Sequence, residues 1–211
     1  TKTRAQAPGT NMKKYPSISQ DPIFGKDYYT YDKLDGSNVR VEWTRKNGMS
    51  KFGSRKVLIG AGSLLHESVA LMQAQEGAVE EVLRDLRVDK AVLFFEFYGE
   101  NSFAGMHQDE DHLVSLIDVD IHKKGIMDPR DFEKAFRGKV PMPSLLATGN
   151  FNKEMADQVR NNTFEGVTFE GVVVKGFKAG KWDRPTMFKV KNQQWVDKVH
   201  KVHGSSAEDL V

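Results

Sequence analysis

Residues 31–38 read YDKLDGSN and lie between two segments with the character of β-strands. Residues 28–31 are aromatic and contain threonine, and Val39–Trp43 alternates apolar and polar side chains, which is the period of a half-buried strand. The pattern predicts that Lys33 lies on a tight turn between strands, where its amine is accessible and rigidly held, as a nucleophile must be. The alternative is an ordinary hairpin, because Asp-Gly is a common hairpin turn.

Length and composition indicate a globular protein. The 211 residues, 39% hydrophobic and 28% charged, suit one large domain or two small ones with a buried core. No apolar run approaches the roughly 18 residues of a membrane-spanning helix, and residues 1–14 lack the apolar segment of a secretory signal. The absence of cysteine excludes disulfides and thiolate chemistry. We therefore expect an intracellular protein (cytoplasmic, nucleoid-associated or from a virus-infected cell) that is not secreted and has no membrane partner.

The distribution of charge is more informative than the net charge of +2. Between residues 177 and 191 a single acid, Asp183, accompanies five cations, which are Lys178, Lys181, Arg184, Lys189 and Lys191. A local basic patch on a nearly neutral protein indicates a phosphate-bearing partner. A solvated, lysine-rich hairpin is the alternative on charge alone.

Hydrophobic periodicity predicts several strands and helices. Helices are expected at Leu64–Leu86, at Pro129–Phe136, from a capping Asn152 through Arg160, and at Trp195–Val202; strands at Met49–Arg55, Lys90–Tyr98, Leu113–Ile121, Phe169–Phe177 and Thr186–Lys191. Strands joined by hairpins, with helices between them, predict an α+β domain of antiparallel sheets. We expect residues 1–20 to form a mobile basic arm that settles near residues 15–18, and residues 21–211 to form the domain.

Four further residues, at three places in the chain, carry unusual charges. Glu96 lies inside an apolar strand, where an unpaired carboxylate is costly to bury, unless it faces solvent from a one-sided sheet. Glu170 precedes Gly171, which allows close approach to the backbone. Lys189 and Lys191 share one face of a strand, and they repel each other unless an anion lies between them or both are solvated.

Six short segments with charged residues follow one another along the chain and form an ordered series. They are KLDG at 33–36, SR at 54–55, EFYG at 96–99, Asp118, EGVVVK at 170–175 and KVK at 189–191. The series resembles that of the covalent nucleotidyltransferases, which comprise ATP-dependent DNA and RNA ligases and mRNA capping enzymes, and it covers residues 28–192. EFYG and KVKN look most like the RNA ligases of the RNA-ligase-2 type, since DNA ligases more often have Asp-Gly-Glu at the third motif.

The resemblance implies an adenylyltransferase (ATP-grasp-like ligase) domain, with antiparallel sheets and flanking helices around an ATP cleft. It implies an ATP-dependent RNA ligase of RNA repair: the lysine takes AMP from ATP, AMP moves to a 5′-phosphate end, and a 3′-hydroxyl seals the strand. The expected partners are ATP and nucleic acid, with RNA favoured, and the expected state is a monomer. No C-terminal OB-fold or helical domain is evident. The alternatives are a DNA nick ligase and an inactive nucleic-acid-binding relative.

The resemblance also implies roles for individual residues. The catalytic residues would be Lys33, Lys189 and Lys191, and the ATP-binding residues would be Lys33, Asn38, Arg55, Glu96, Ile117, Val172, Lys175, Lys189 and Lys191. Glu170 would hold Mg²⁺ or Mn²⁺, which take few protein ligands and keep several waters. Because a free lysine has a pKa of about 10.4, we expect burial or the neighbouring cations to lower the pKa of Lys33.

The chain departs from the family pattern near Asp118. The family usually packs adenine against an aromatic residue just before this position, and here the residue is Ile117. Either an aliphatic side chain covers the base, or Val119–Asp120 is the true match. Asp118, Asp120 and His122 also share a strand face, so a metal site there is an alternative. Asp32 replaces the usual glutamate before the nucleophile.

Overall fold

The computed structural model describes residues 12–60, 65–101, 107 and 109–209. Nine strands within these ranges form two antiparallel sheets, and helices flank them, which confirms the predicted α+β fold. The strands are β1 Asp27–Lys33, β2 Gly36–Thr44, β3 Gly48–Ser54, β4 Lys90–Tyr98, β5 Leu113–Ile121, β6 Gly125–Ile126, β7 Leu145–Asn150, β8 Gly171–Gly176 and β9 Met187–Lys191. The helices are α1 His66–Ala74, α2 Glu76–Asp85, α3 Pro129–Phe136, α4 Lys153–Arg160 and α5 Gln193–His203, followed by a 3₁₀-helix at Gly204–Asp209.

Each sheet has a hydrophobic core of its own. The four-stranded sheet, in the order β7-β1-β8-β9, packs against α4, and the five-stranded sheet, in the order β3-β2-β4-β5-β6, packs against α1, α2 and α3. A third cluster joins the N-terminal segment to the opposite face of the five-stranded sheet through Met12, Tyr15 and Phe94. Met12 and Tyr15 are therefore buried against this sheet, and Ser19 adds an isolated parallel bridge beside β9.

The predicted turn at Lys33 is not a hairpin, because β1 and β2 belong to different sheets. Lys33 ends β1 opposite Gly171 of β8, whereas Gly36 begins β2 opposite Tyr98 of β4. The chain crosses from one sheet to the other in two residues. Gly36 is required at this crossing, since a Cβ there would overlap the carbonyl oxygen of Phe97. Lys33 therefore lies between the two sheets rather than at the tip of a hairpin.

The predicted helix at 64–86 is also wrong in one respect, because two helices, α1 and α2, occupy it. Gln75 separates them. Its N–H donates a hydrogen bond to the carbonyl oxygen of Met72, three residues earlier, as in a 3₁₀ turn. Leu64 lies outside the described residues. The apolar stripe does pack into the core, as predicted, with Met72, Val79 and Leu83 fully buried.

The remaining elements follow the predictions with two exceptions. Asn152 caps α4, as expected, by accepting a hydrogen bond from the amide of Met155 at 2.9 Å. The strand expected at Phe169–Phe177 is shorter and begins at Gly171. Strand β7 was not predicted, and pairing with β1 makes it a strand. No helix in the described ranges is long and apolar enough to cross a membrane.

Candidate active site

A cleft of about 680 Å³ is lined by residues from both sheets. This volume falls in the range of roughly 300–1,000 Å³ that is typical of small-molecule sites. The sequence-predicted residues that line it are Lys33, Asn38, Arg55, Glu96, Ile117, Glu170, Lys175, Lys189 and Lys191. Residues spread over more than 150 positions thus meet at one site, as the ordered series of segments predicts.

Lys33 and Glu170 form an ion pair at the centre of this cleft, with Nζ 2.7 Å from Oε1. The pairing of β1 with β8 sets this contact, because Lys33 lies opposite Gly171. Gly171 has a φ of +140°, and a Cβ there would overlap the carbonyl oxygen of Val190. Only glycine allows β8 to begin this close to β9, and it thereby fixes the position of Glu170.

The expected lowering of the Lys33 pKa is wrong for this state of the protein. Burial lowers the pKa of Lys33, but attraction to Glu170 and Glu96 outweighs it, so the pKa is raised from its ordinary value. Arg55 opposes this rise only weakly. Lys33 is therefore held as an ammonium that must lose its proton before it can act as a nucleophile.

Glu96 faces the same ammonium from the five-stranded sheet. Burial raises the pKa of Glu96 to about 8, with repulsion by Glu170 adding to the rise and attraction to Lys33 opposing it. The solvent-facing alternative for this glutamate is thus excluded, because Glu96 lines the cleft. A carboxyl group that keeps its proton near neutral pH can both donate and accept hydrogen bonds.

Lys189 and Lys191 point into the cleft from β9, while Phe188 and Val190 between and beside them are buried in the core. Burial lowers the pKa of both lysines, and the pKa of Lys191 falls to about 8. Attraction to Glu170 opposes this lowering in both lysines but does not outweigh burial. The arrangement favours an anionic ligand over the solvated alternative.

Lys175 belongs to a different part of the cleft from the other lysines. Its ammonium donates to Asp118 Oδ2 at 2.9 Å and to the carbonyl oxygen of Ile117 at 2.5 Å. Tyr15 donates to the same carboxylate oxygen at 2.5 Å. Lys175 is thus neutralised by Asp118, and Lys33 does not depend on it for the direction of its pKa.

Asn38 is buried beside the cleft, and neither end of its amide has a hydrogen-bond partner among the described residues. A buried amide without partners is costly, so it indicates a polar ligand that completes its hydrogen bonds. Arg55 also lines the cleft but is exposed. Its charge acts on Lys33, Glu96, Lys189 and Lys191.

Strand alternation corrects one predicted nucleotide contact. The side chain of Val172 lies in the core of the four-stranded sheet, and its neighbour Val173 lines the cleft instead. Of the two alternatives for the adenine position, Ile117 lines the cleft, whereas Val119 is in the core of the five-stranded sheet. A bulge opposite Phe94 and Phe95 turns Ile117 toward the cleft.

The alternative metal site on β5 is not supported, because its carboxylates are already paired. Asp118 accepts from Lys175 and Tyr15, and Asp120 accepts from Lys13 at 2.9 Å. The described ranges contain no group of three or more metal-ligating side chains. In the cleft, Glu170, whose Oε1 pairs with Lys33, is the carboxylate that could hold a hydrated divalent cation through its other oxygen.

Sequence reasoning missed residues that hold the site in place. Tyr15 lines the cleft from the segment that was expected to be a mobile arm. Thr168 donates to Asp32 through its amide at 3.0 Å and its hydroxyl at 2.7 Å, so it fixes the residue before Lys33. His107 Nε2 lies 2.9 Å from Asp35 Oδ2. These contacts join residues 72 to 136 positions apart, and local pattern carries no signal for them.

Comparisons with known proteins place this geometry among the ligases. The RNA ligase family model matches residues 26–191. A variant of the Naegleria gruberi RNA ligase with AMP and Mn aligns with a TM-score of 0.66 and 16% identity over 89% of this chain and 58% of that chain. A variant with ATP and Mn aligns with a TM-score of 0.62 and 15% identity, over 83% of this chain and 52% of that chain. The enzyme with PPi aligns with a TM-score of 0.64 and 16% identity, over 95% of this chain and 64% of that chain.

At these identities the likeness to the solved structures establishes the fold. The chain spans 52–64% of the length of those three solved chains. A comparison with curated proteins found no match.

Proposed function

The chain belongs to the RNA ligase family, and on this premise we propose that it joins RNA ends in an ATP-dependent reaction. One observation carries the proposal: the Lys33 ammonium lies 2.7 Å from Glu170 in a cleft that Glu96, Lys189 and Lys191 also line. The N. gruberi RNA ligases of similar fold were solved with AMP or ATP and Mn, or with PPi, which supports a nucleotide substrate here.

In the first step, Lys33 Nζ attacks the α-phosphorus of ATP. A nitrogen–phosphorus bond forms, the bond from that phosphorus to the bridging oxygen breaks, and pyrophosphate leaves with the bonding electrons. The Lys33 ammonium has to give up a proton first, and Glu170 Oε1 is the oxygen that faces this proton. The product is AMP attached to Lys33.

The other cleft residues bind ATP and neutralise the negative charge of its phosphates. Lys189 and Lys191 stabilise the charge on the transferring phosphoryl group and the departing pyrophosphate, which is the larger catalytic contribution in phosphoryl transfer. Glu96 holds the ribose hydroxyls. The unpartnered amide of Asn38 and the exposed guanidinium of Arg55 bind phosphate and ribose oxygens. Ile117 and Val173 cover the adenine base. Asp118 positions Lys175 by accepting a hydrogen bond from its ammonium at 2.9 Å.

A divalent cation fits the carboxylate of Glu170, and we propose Mg²⁺ or Mn²⁺. When bound, such an ion neutralises negative charge on the reacting phosphate. Glu170 is suited to this role because its backbone is fixed: its carbonyl oxygen accepts from the amide of Asn192 at 2.8 Å. Glu170 would then divide its carboxylate between the ion and the Lys33 ammonium, which it now holds at 2.7 Å.

In the later steps, AMP passes from Lys33 to the 5′-phosphate of an RNA strand and forms a phosphoanhydride. The 3′-hydroxyl of a second strand then attacks that 5′-phosphorus, a phosphodiester bond forms, and AMP leaves. We propose that the protein acts as a monomer. The division into an arm of residues 1–20 and a domain of residues 21–211 stays a prediction.

The first test is incubation of the protein with α-labelled ATP and Mg²⁺. We expect label on the wild-type chain, because Lys33 Nζ is the nucleophile, and no label on Lys33→Ala. A wild-type chain without label, or equal label on both chains, would contradict the mechanism. Lys198→Ala, at an exposed position on α5, is the matched control and should label like the wild type.

The choice between RNA and DNA requires a second test. Sealing is measured on nicks that differ only in whether the 3′-hydroxyl strand ends in ribose or deoxyribose. We expect faster sealing with ribose. Equal rates would favour a general nick ligase, and label on Lys33 without any sealing would favour a protein that supplies only the adenylylation step.

A further inference from the structure

The loop that joins β8 to β9, residues 177–186, is anchored at its base. The guanidinium of Arg130 lies 4.1 Å from the centroid of the Phe177 ring. The Lys178 ammonium donates to the carbonyl oxygen of Lys124 at 2.9 Å, which ties the loop to the turn between β5 and β6. The base of the loop is therefore held against α3 and against the turn between β5 and β6.

The tip of the same loop exposes an aromatic side chain. The amide of Asp183 donates to the carbonyl oxygen of Gly180 at 3.1 Å, and this turn places Lys181 and Trp182 at its corners. Trp182 is 69% exposed, more than any other large hydrophobic side chain in the described ranges. The Lys181 ammonium lies 5.2 Å from its ring centroid. An exposed indole next to a cation is the arrangement on which nucleic-acid bases stack.

Cations lie at both the base and the tip of this loop. We call the surface formed by the following residues the β8–β9 basic surface: Lys123, Lys124, Arg130, Lys178, Lys181, Trp182 and Arg184. Its exposed acids are Asp131 and Asp183, and Asp128 is buried beneath Arg130. Neither Lys181 nor Arg184 forms an ion pair with any residue in the described part of the chain. The surface therefore offers uncompensated positive charge to a polyanion.

We propose that the β8–β9 basic surface binds a single-stranded part of the RNA substrate, with Trp182 stacked on a base and Lys181 and Arg184 on phosphates. This proposal rests on the proposed function. Single-stranded RNA fits better than a duplex, because the bases of a duplex already stack on one another and cannot receive an indole.

The surface lies within reach of the active site along the chain. Arg184 is five residues before Lys189, so their Cα atoms are at most about 17 Å apart. At about 3.4 Å per nucleotide in a stacked strand, this is about five nucleotides. An RNA whose reacting end lies at Lys33 and which is clearly longer than that is therefore long enough to reach Trp182.

The test measures binding of a fluorescent, 5′-phosphorylated oligouridylate of about twelve nucleotides, and of one of about four, to the full chain. Trp182→Ala should raise the Kd for the longer RNA by about 5- to 150-fold, and Trp182→Phe should restore much of the affinity. Lys181→Ala/Arg184→Ala should reduce the slope of log Kd against log salt by about 1.4. The shorter RNA should respond little to either change.

The matched control for charge is Lys198→Ala/Lys201→Ala, two exposed lysines on α5, which should leave both Kd values unchanged. Unchanged affinity in the Trp182 and Lys181/Arg184 variants, or an equal loss in the control, would overturn the proposal. So would binding of anionic phospholipid vesicles without binding of RNA. Labelling of the wild-type chain from ATP needs no RNA, so its failure would count against the proposed function and not against this surface.

Discussion

Lys33 is flanked by two carboxyl groups, Glu170 and Glu96. Glu170 is ion-paired with it at 2.7 Å, whereas burial raises the pKa of Glu96 to about 8. A second full negative charge beside Glu170 would cost free energy in this cleft. The positive charge of Lys33 is thus balanced by the Glu170 carboxylate, while Glu96 stays protonated near neutral pH.

The pH dependence of stability should reveal the Glu96 proton. Because the pKa of Glu96 is higher in the folded than in the unfolded state, the folded protein binds more protons between about pH 4.5 and 8. The free energy of unfolding should therefore fall across that window, and Glu96→Gln should remove this part of the fall. Urea denaturation of both proteins at pH 5 and pH 8 measures it.

The expected outcome is that Glu96→Gln gains stability relative to the wild type as the pH rises. A difference between the two proteins that stays constant from pH 5 to pH 8 would show that Glu96 has an ordinary pKa in the fold. Glu165→Gln, at an exposed carboxylate, is the control and should show no such change.

At the scale of elements, the start of β8 depends on one residue without a side chain. Gly171 combines a φ of +140° with close contact to the backbone of Val190. Gly171→Ala should lower the free energy of unfolding by at least about 1–3 kcal/mol, because both the backbone angle and the contact become unfavourable. It should also abolish labelling from ATP, since Glu170 moves away from Lys33. Thermal unfolding and the labelling assay measure the two effects, and full labelling of Gly171→Ala would contradict this account.

Gly77 gives the opposite prediction for the same substitution. It lies exposed in α2, and a Cβ there would meet no atom within 4 Å among the described residues. Gly77→Ala should raise the free energy of unfolding by about 0.5–1 kcal/mol, because alanine loses less backbone entropy in a helix. Thermal unfolding measures this gain, and a loss of stability would show that the junction of α1 and α2 needs glycine.

Elements were predictable where local pattern decides them. The apolar stripe of α2, the Asn152 cap and the dense strand β4 all carry strong local signals. Strand β7 carries none, because its sequence LLATGN has no alternation and pairing with β1 alone defines it. The tight bend at Lys33 was predictable, but the hairpin alternative could be excluded only by the structure, because Asp-Gly specifies a bend and not which strands pair across it.

At the scale of the whole molecule, one buried ion pair joins the two sheets. Lys175 belongs to the four-stranded sheet and Asp118 to the five-stranded sheet, and their side chains are only 5% and 1% exposed. Asp118→Ala leaves the Lys175 charge buried without its partner, so we expect a loss of about 3–5 kcal/mol in the free energy of unfolding.

The double variant Asp118→Ala/Lys175→Met should recover much of that loss, since no unpaired charge remains. Chemical denaturation of the wild type, both single variants and the double variant completes the cycle. Additive losses from the two single changes would mean that the pair does not couple the sheets.

The candidate site as a whole was predictable because its charged residues fall in a fixed order along the chain. That order resembles the motif series of the covalent nucleotidyltransferases, and the resemblance implies their joint position in one cleft. The contacts of Tyr15, Thr168 and His107 could not be predicted, because each depends on how distant segments pack. Nor could the rise in the Lys33 pKa, which depends on the distance to Glu170 rather than on the presence of nearby lysines.

The two-residue passage from β1 to β2 has a further consequence for exchange of backbone amide hydrogens. Each sheet has its own core while Lys175 and Asp118 join the two, so the exchange rates measure whether the sheets open together or as separate units. Lys33 sits at the boundary of both, because its strand ends in one sheet and the next begins in the other. Opening of either sheet therefore withdraws the nucleophile, and the less protected of the two sheets sets the fraction of molecules that are competent to react.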